Sequence, residues 1–178
     1  MTPGRKLIAI VALQFLILLS VIGFKQYTIW TGETVLLKTT PIDPRDLLRG
    51  DFVSVSYDIS TIDLAKVTGH DGGTIYVELQ RGDDGYWTAV AVHERREHSF
   101  DGTVLLRGDV EGFFGPESTG VIRVHYGIEQ VFVPEGSGAD LPTGRDHTIA
   151  VEVKVDRFGN AVPRRFLVDG QPFDLRRR

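Results

Sequence analysis

The sequence contains no cysteine. This absence excludes a thiol nucleophile, a zinc site built from thiolates and a disulfide framework, while the redox environment stays open because a large enough core needs no disulfide. No stretch after residue 33 shows long helical periodicity, whereas the chain has 20 glycines and 8 prolines. That much glycine and proline indicates many short strands and turns rather than a few long helices.

The 178 residues suffice for about one domain, and 42% of them are hydrophobic, which is ordinary for a packed core. Period-two alternation and short β-branched runs predict nine strands. These are residues 34 to 39, 52 to 59, 74 to 79, 86 to 92, 103 to 106, 120 to 126, 130 to 133, 148 to 156 and 165 to 169.

Turn residues and one short polar segment complete this prediction. Asp83-Asp84-Gly85 predicts a hairpin between residues 74 to 81 and 86 to 93. Residues 60 to 67 are expected to form a turn or two of helix, with Ser60 or Thr61 as its N-cap. The predicted fold is mainly β: a single antiparallel β-sandwich or partly open barrel, preceded by one N-terminal transmembrane helix.

Residues 7 to 24 form one apolar run that only Gln14 and Ser20 interrupt. At ~1.5 Å per residue this run reaches about 27 Å, and a bilayer core is roughly 30 Å thick. Tyr27 and Trp30 follow, where aromatic side chains are typical of the membrane interface. The pattern predicts that residues 7 to 24 are a transmembrane anchor in the lipid bilayer.

Basic residues are distributed unevenly around this run. Arg5, Lys6 and the terminal amine precede it, and only Lys25 follows directly. The positive-inside rule therefore places residues 1 to 6 in the cytoplasm. Residues 25 to 33 become a juxtamembrane segment and residues 34 to 178 an extracytoplasmic β domain, so the expected location is the cell (inner) membrane, single-pass.

Two other interpretations of the apolar run stay open. A cleaved signal peptide usually has an apolar core of 7 to 15 residues and an A-x-A-like site. Here the run is longer and ends in "SVIGFKQYT", without a well-placed pair of small residues, so we favour the anchor. A buried helix of a soluble domain is disfavoured because the segment has no polar face.

The net charge of the chain is −4, and the first 24 residues carry two positive charges and no acid. The rest of the chain therefore has a net charge of −6, which disfavours nucleic acid or an anionic lipid surface as a partner. The closing residues 176 to 178, all arginine, are interpreted as a solvated tail.

The stretch "DPRDLLRGDFVSVSYDIS", residues 43 to 60, changes from a turn to a strand. Asp43 is predicted to cap a short helical turn with Pro44 at its first position, and Gly50 to end that turn. "LLRGD" occurs at residues 47 to 51 and again at 105 to 109. A duplicated β unit is one explanation, but we favour chance and shared turn chemistry because the surrounding residues do not align.

"GDFVSVSY", residues 50 to 57, resembles the motif that names the GDYXXLXY protein family. "IDPRDLLR" before it and "YGIEQVFVPEGSG", residues 126 to 138, resemble the same family. Phe52 replaces the motif tyrosine and Val55 the motif leucine, so a strand is still expected but a hydroxyl role at position 52 is lost. The resemblance implies a membrane-anchored protein of unknown function that is associated with multi-pass membrane proteins.

Five residues in these segments are candidates for binding: Asp51, Tyr57, Tyr126, Glu129 and Glu135. Paired carboxylates can perform acid–base catalysis or hold Ca²⁺. Carboxylates beside glycine and proline more often stabilise turns or form salt bridges, here with Arg45 or Arg49. We therefore expect a non-catalytic binding or accessory module for a membrane-protein partner. An extracytoplasmic hydrolase that uses these carboxylates is the alternative.

Other chemistry has less support in the sequence. His93 and His98 are five residues apart, whereas zincin chemistry needs a spacing of four with an adjacent glutamate. A serine–lysine protease needs a serine just after the anchor, and none lies between Lys25 and Asp51. We expect neither a metal site nor a cofactor.

Overall fold

The structure is a computed structural model, and it describes residues 3–40, 52–63, 73–96, 101–111, 120–132, 141–142 and 146–173. Several residues singled out in the sequence lie outside these described ranges. They are Asp43, Pro44, Gly50, Asp51, residues 64 to 67, His98 and Glu135.

An apolar helix, α1, spans Pro3–Thr31. The N-terminal helix is confirmed, and it continues through residues 25 to 31 of the predicted juxtamembrane segment. The helix is long and apolar enough to cross a membrane, and its apolar stretch is exposed. Length and composition suit a membrane anchor and a signal sequence equally well.

The strands follow this helix in the described part of the chain. They are β1 Glu33–Lys38, β2 Phe52–Ser54, β3 Thr61–Asp63, β4 Gly73–Arg81, β5 Trp87–His93, β6 Thr103–Glu111, β7 Val121–His125, β8 Gln130–Phe132, β9 Ile149–Val155, β10 Ala161–Val168 and β11 Gln171–Pro172. The predicted mainly antiparallel β fold is confirmed.

The strands form three sheets with the orders β1-β9-β10-β11, β2-β8 and β3-β7-β6-β4-β5, and they curl as a half-barrel. One hydrophobic cluster contains residues from all three sheets, among them Leu37, Val53 and Leu106. An isolated bridge between Thr39 and Tyr57 joins the end of β1 to the segment after β2. The small sheet is thereby tied to the large ones.

The predicted hairpin around residues 83 to 85 is confirmed. β4 and β5 pair antiparallel, with Arg81 opposite Trp87. Gly85 has φ +84, a conformation that glycine adopts at little cost. The aspartates and glycine of this loop therefore predicted both the turn and the pairing of its strands.

The segment after the family-like motif differs from the prediction. Of the expected strand 52 to 59, only Phe52–Ser54 forms a regular strand, and a 3₁₀ turn follows at Asp58–Ser60. Thr61–Asp63, where helix was predicted, forms β3 instead because its β-branched residues pair with β7. Tertiary strand pairing outweighs a weak helical propensity at this position.

Burial nevertheless follows the predicted alternation. Val53, Val55, Tyr57 and Ile59 are each at most 5% exposed, and the residues between them are exposed. An extended backbone keeps the two-residue period of its side chains even where the ladder of hydrogen bonds ends.

The second "LLRGD" differs in structure from the turn predicted for the first. Residues 105 to 109 lie inside β6, which pairs with both β4 and β7. Gly108 leaves room there for a neighbouring ring: a Cβ at this position would contact Val124 Cγ1 and lie 2.9 Å from Tyr126 Cδ1. The glycine is required by close packing and not by a turn.

The C-terminal end of α1 is built into the β domain. Thr28 is 1% exposed and Asp156 is 3% exposed, and the Thr28 hydroxyl donates to Asp156 Oδ2 at 2.7 Å. The other oxygen of this carboxylate accepts the backbone N–H groups of Phe158 and Asn160. One buried carboxylate therefore holds both the helix and the loop between β9 and β10.

Candidate functional site

The two family-like segments are joined by a reciprocal pair of tyrosine hydrogen bonds. The Tyr57 hydroxyl donates to the Ile128 carbonyl at 2.7 Å, and the Tyr126 hydroxyl donates to the Ile59 carbonyl at 2.6 Å. Both rings are buried, with Tyr57 at 1% and Tyr126 at 7% exposure. Tyr57 thus donates to the backbone of the second segment, and Tyr126 donates to the backbone two residues after the first.

Backbone contacts reinforce the same junction. The Val55 N–H donates to the Glu129 carbonyl at 2.8 Å, while the Tyr126 N–H donates to the Glu129 carboxylate. The carboxylate of Glu129 therefore closes the turn at residues 126 to 129. This contact is the structural role that the sequence favoured for the acidic residues.

Burial raises the pKa of both tyrosine hydroxyls, and the nearby Glu129 charge raises each further. A phenol that is buried beside a carboxylate resists ionisation because its anion is neither solvated nor compensated. Tyr57 and Tyr126 consequently stay protonated and act as hydrogen-bond donors.

The structure brings together Tyr57, Tyr126 and Glu129 of the five predicted binding residues. Asp51 and Glu135 lie outside the described ranges. The contacts of the first three explain why the fold needs them, and a binding role for the set stays a prediction.

A cavity of about 170 Å³ opens beside this junction, between β1, β3, β5 and the 3₁₀ turn. Its wall is largely apolar and its charged side chains differ in sign. The lining includes Lys38, Asp58, Ile59, Ile62, Trp87 and Thr88. We call this the Asp58 cavity, because Asp58 directly follows the motif residue Tyr57.

The charges around the Asp58 cavity are unequally compensated. Lys38 Nζ lies 2.7 Å from Asp84 Oδ2 and 4.6 Å from the centre of the Tyr86 ring. The hydrogen bond to Asp84 raises the pKa of Lys38. Lys38 is therefore engaged mainly with Asp84.

The charge of Asp58, unlike that of Lys38, is only partly compensated by its neighbours. Partial burial raises the pKa of its carboxyl, and the charge of Lys38 offsets only part of this effect. A partly desolvated carboxylate beside an apolar wall is suited to bind a cation that carries its own apolar stem.

Sequence reasoning did not select Lys38 or Asp58. The alternation from Phe52 onward did place Asp58 on the polar face, immediately after the motif tyrosine, and this was the available signal. Lys38 had no comparable signal because Asp84 is 46 residues away in the sequence.

Three histidines of the described chain each contact one carboxylate. The pairs are His93–Glu78 at 2.9 Å, His125–Glu111 at 3.2 Å and His147–Asp169 at 2.7 Å. Within the described ranges, no group of three or more histidine, aspartate or glutamate side chains is arranged to hold a metal ion.

The chain has one exposed apolar helix whose end is fixed to a β half-barrel, and two tyrosines join the motif segments within that half-barrel. These features place it among proteins with a single apolar helix followed by a β domain. A family model described as "GDYXXLXY protein" matches residues 14–166. The chain belongs to the GDYXXLXY family. No curated protein and no solved structure matches the chain.

Proposed function

We propose that this protein is a membrane-anchored accessory module whose β domain binds a membrane-protein partner outside the cytoplasm. The observation that supports this most directly is the contrast along α1. Its apolar length is exposed, for example Phe15 and Leu16 at 62% each, while Thr28 near its C-terminal end is 1% exposed. A bilayer would cover the exposed part, and the buried end would hold the β domain close to the membrane surface.

An exposed apolar surface of this length is unfavourable in water, so another apolar phase or molecule is expected to bury it. Removing apolar surface from water stabilises a protein by roughly 25 cal/mol per Å², and soluble monomers rarely expose large contiguous apolar patches. The whole run from Leu7 to Phe24 would lose water contact in a bilayer. The charge asymmetry around this run supports an N-terminus in the cytoplasm.

The Asp58 cavity is the surface that we assign to the partner. β1 begins at Glu33, two residues after α1, and its last residue, Lys38, lines the cavity. At ~3.3 Å per residue, Lys38 lies about 17 Å along β1 from Glu33, where the strand begins. The cavity is therefore accessible to an extracytoplasmic segment of a partner in the same membrane.

The chemistry of the cavity favours a basic side chain as its occupant. The apolar wall formed by Ile59, Ile62 and Trp87 suits the aliphatic stem of a lysine or arginine, and the Asp58 carboxylate suits its charge. The net charge of −6 on the chain after residue 24 would also attract a basic partner.

A photo-crosslinking amino acid at Thr88 tests this proposal in the full-length protein. Thr88 lines the cavity and is exposed, so a discrete adduct should form in the membrane fraction. The adduct should disappear when Asp58→Asn is added and persist with Asp101→Asn, a matched change at an exposed turn. An adduct that is equally strong in both variants, or no adduct, would contradict the proposal.

The hydrolase alternative is separable from this proposal. It rests on Asp51, Glu129 and Glu135, which would be changed singly to Asn or Gln. Loss of a measurable turnover with a retained fold would support the hydrolase. Loss of partner crosslinking without any turnover in the parent protein would support the accessory module.

A further inference from the structure

We propose that a second cavity, at the junction of α1 and the β domain, binds the phosphate of a phospholipid head group. The cavity has a volume of about 210 Å³, and the inference rests on the proposed membrane anchor. Residues of the helix, β6, β7 and the loop before β10 contribute to its wall. The lining residues with polar side chains are Lys25, Thr28, Arg107, Asp109, His125, Tyr126 and Asn160.

The depth of this cavity follows from the position of the helix residues in its wall. Phe24, Lys25 and Thr28 all line it, and Phe24 is the last residue of the apolar run. At ~1.5 Å per residue, Thr28 lies about 6 Å beyond Phe24 along the helix. A head-group layer is roughly 5 to 7 Å thick on each side of the bilayer core, so the cavity lies at head-group depth.

Two basic residues line this cavity from separate elements. Lys25 comes from α1 and Arg107 from β6. Within the described ranges, neither side chain makes a hydrogen bond or an ion pair, whereas the chain after residue 24 has a net charge of −6. Guanidinium and ammonium groups are the usual partners of phosphate oxygens, and arginine can bind two of them at once.

The other titratable groups of the cavity already have partners. Asp109 Oδ1 accepts a hydrogen bond from the Thr74 hydroxyl at 2.7 Å, and His125 Nε2 lies 3.2 Å from Glu111 Oε2. Lys25 and Arg107 therefore outnumber the single carboxylate of Asp109, and the site favours an anion.

An aromatic and cationic cluster at the same end of the β domain supports a lipid source for the phosphate. Phe158 is 37% exposed, and its ring lies 6.5 Å from the ring of Tyr27. Arg157 and Arg96 lie over this ring at 4.7 Å and 5.2 Å. Aromatic rings and basic groups together are typical of the membrane interface.

Titration of the full-length protein in dodecyl maltoside, a detergent without phosphate, tests the inference. Dihexanoyl-phosphatidylglycerol should raise the midpoint of thermal unfolding in a saturable way. The double variant Lys25→Gln/Arg107→Gln should weaken this apparent affinity by about tenfold or more, because charge-assisted hydrogen bonds are lost. Arg81 is also exposed, and the Arg81→Gln variant should bind as the parent protein does.

Arg81 is a matched control because it lies at the far end of the same sheet. Thr74 pairs with Asp109 of the cavity, and Arg81 is seven residues further along β4. At ~3.3 Å per residue that separation is about 23 Å. Equal loss of affinity in the control and the double variant would contradict a specific site.

Two further ligands distinguish the source of the phosphate. Inorganic phosphate should bind far more weakly than the lipid, and dihexanoylglycerol, which lacks phosphate, should not compete. Equal binding of inorganic phosphate would overturn the lipid source, and equal binding of dihexanoylglycerol would overturn phosphate recognition. The titration needs no bilayer or protein partner, so its failure is distinguishable from failure of the crosslinking test at Thr88.

Discussion

At the scale of single residues, the tyrosines of the two family-like segments form the central junction. The Tyr57 hydroxyl donates to a carbonyl of the second segment, and the Tyr126 hydroxyl donates to the Ile59 carbonyl just after the first segment. A buried carbonyl without a partner is costly. The motif residues are thus explained first by what the fold needs. Loss of either hydroxyl tests this explanation without changing the size of the core.

Tyr126→Phe should lower the free energy of unfolding by about 1 to 3 kcal/mol, because the Ile59 carbonyl loses its donor. Tyr76→Phe is the control, since this half-buried residue of β4 donates no side-chain hydrogen bond within the described ranges. The control should change the stability by less than about 0.5 kcal/mol. Urea unfolding measures the free energy of unfolding of both variants. If Tyr126→Phe lowers it no more than Tyr76→Phe does, the hydroxyl of Tyr126 is not important for stability.

Asp58 should make stability depend on pH in the direction opposite to most carboxylates. Burial raises the pKa of this carboxyl above its unfolded value, so the folded state binds more protons than the unfolded state near these pKa values. Stability from this group therefore falls as the pH rises through the folded pKa. Asp58→Asn removes the ionised form and should be the more stable protein at pH 7.

The control for this prediction is to compare the stability of the parent protein and Asp58→Asn at low pH. Below the unfolded pKa both states carry a neutral carboxyl, so the advantage of Asp58→Asn should disappear there. Thermal unfolding midpoints of the two proteins across this range measure the effect. A variant that is less stable at pH 7 would show that the ionised carboxylate is held by favourable contacts.

At the scale of the elements, the link between α1 and the loop after β9 decides how firmly the β domain is held. Thr28→Val removes the hydroxyl and keeps the shape, leaving the buried Asp156 carboxylate without one donor. Hydrogen bonds to charged groups contribute about 1.5 to 3 kcal/mol, so the thermal unfolding midpoint of the full-length protein in detergent should fall.

Thr31→Val is the matched control for this link. Its hydroxyl donates to the Tyr27 carbonyl of the same helix and is exposed, so its removal should change the midpoint little. If Thr28→Val is as stable as Thr31→Val, the buried contact does not join the helix to the domain.

Elements with a local signal were predictable from the sequence. The apolar run predicted α1, and Asp83-Asp84-Gly85 predicted the hairpin of β4 and β5. Residues 60 to 67 show the opposite case, since their polar and capping residues indicated helix while pairing with β7 makes Thr61–Asp63 a strand. The local sequence pattern does not indicate pairing with a strand that is distant in the sequence.

The candidate site was predictable to a similar extent. Tyr57, Tyr126 and Glu129 were selected from the segments that resemble the family, and they do meet. The Asp58 cavity and the link from Thr28 to Asp156 depend on residues that are far apart in the chain, 128 positions in the second case. Only the folded chain brings such residues together.

At the scale of the whole molecule, the proposed function requires an uncleaved anchor with the β domain outside the cytoplasm. The chain has no cysteine, so a single introduced cysteine gives an unambiguous label. Gln171→Cys lies at an exposed position of β11, and Thr2→Cys precedes the apolar run. The pair therefore samples both ends of the proposed topology.

Labelling of these two variants with a membrane-impermeant maleimide in intact spheroplasts is the most direct measurement. We expect Gln171→Cys to react at once, and Thr2→Cys to react only after the membrane is permeabilised, both in a full-length protein that resists carbonate extraction. Protection of Gln171→Cys in intact spheroplasts would contradict the topology. A labelled protein that lacks its first ~25 residues would show that the apolar segment is a cleaved signal and not an anchor.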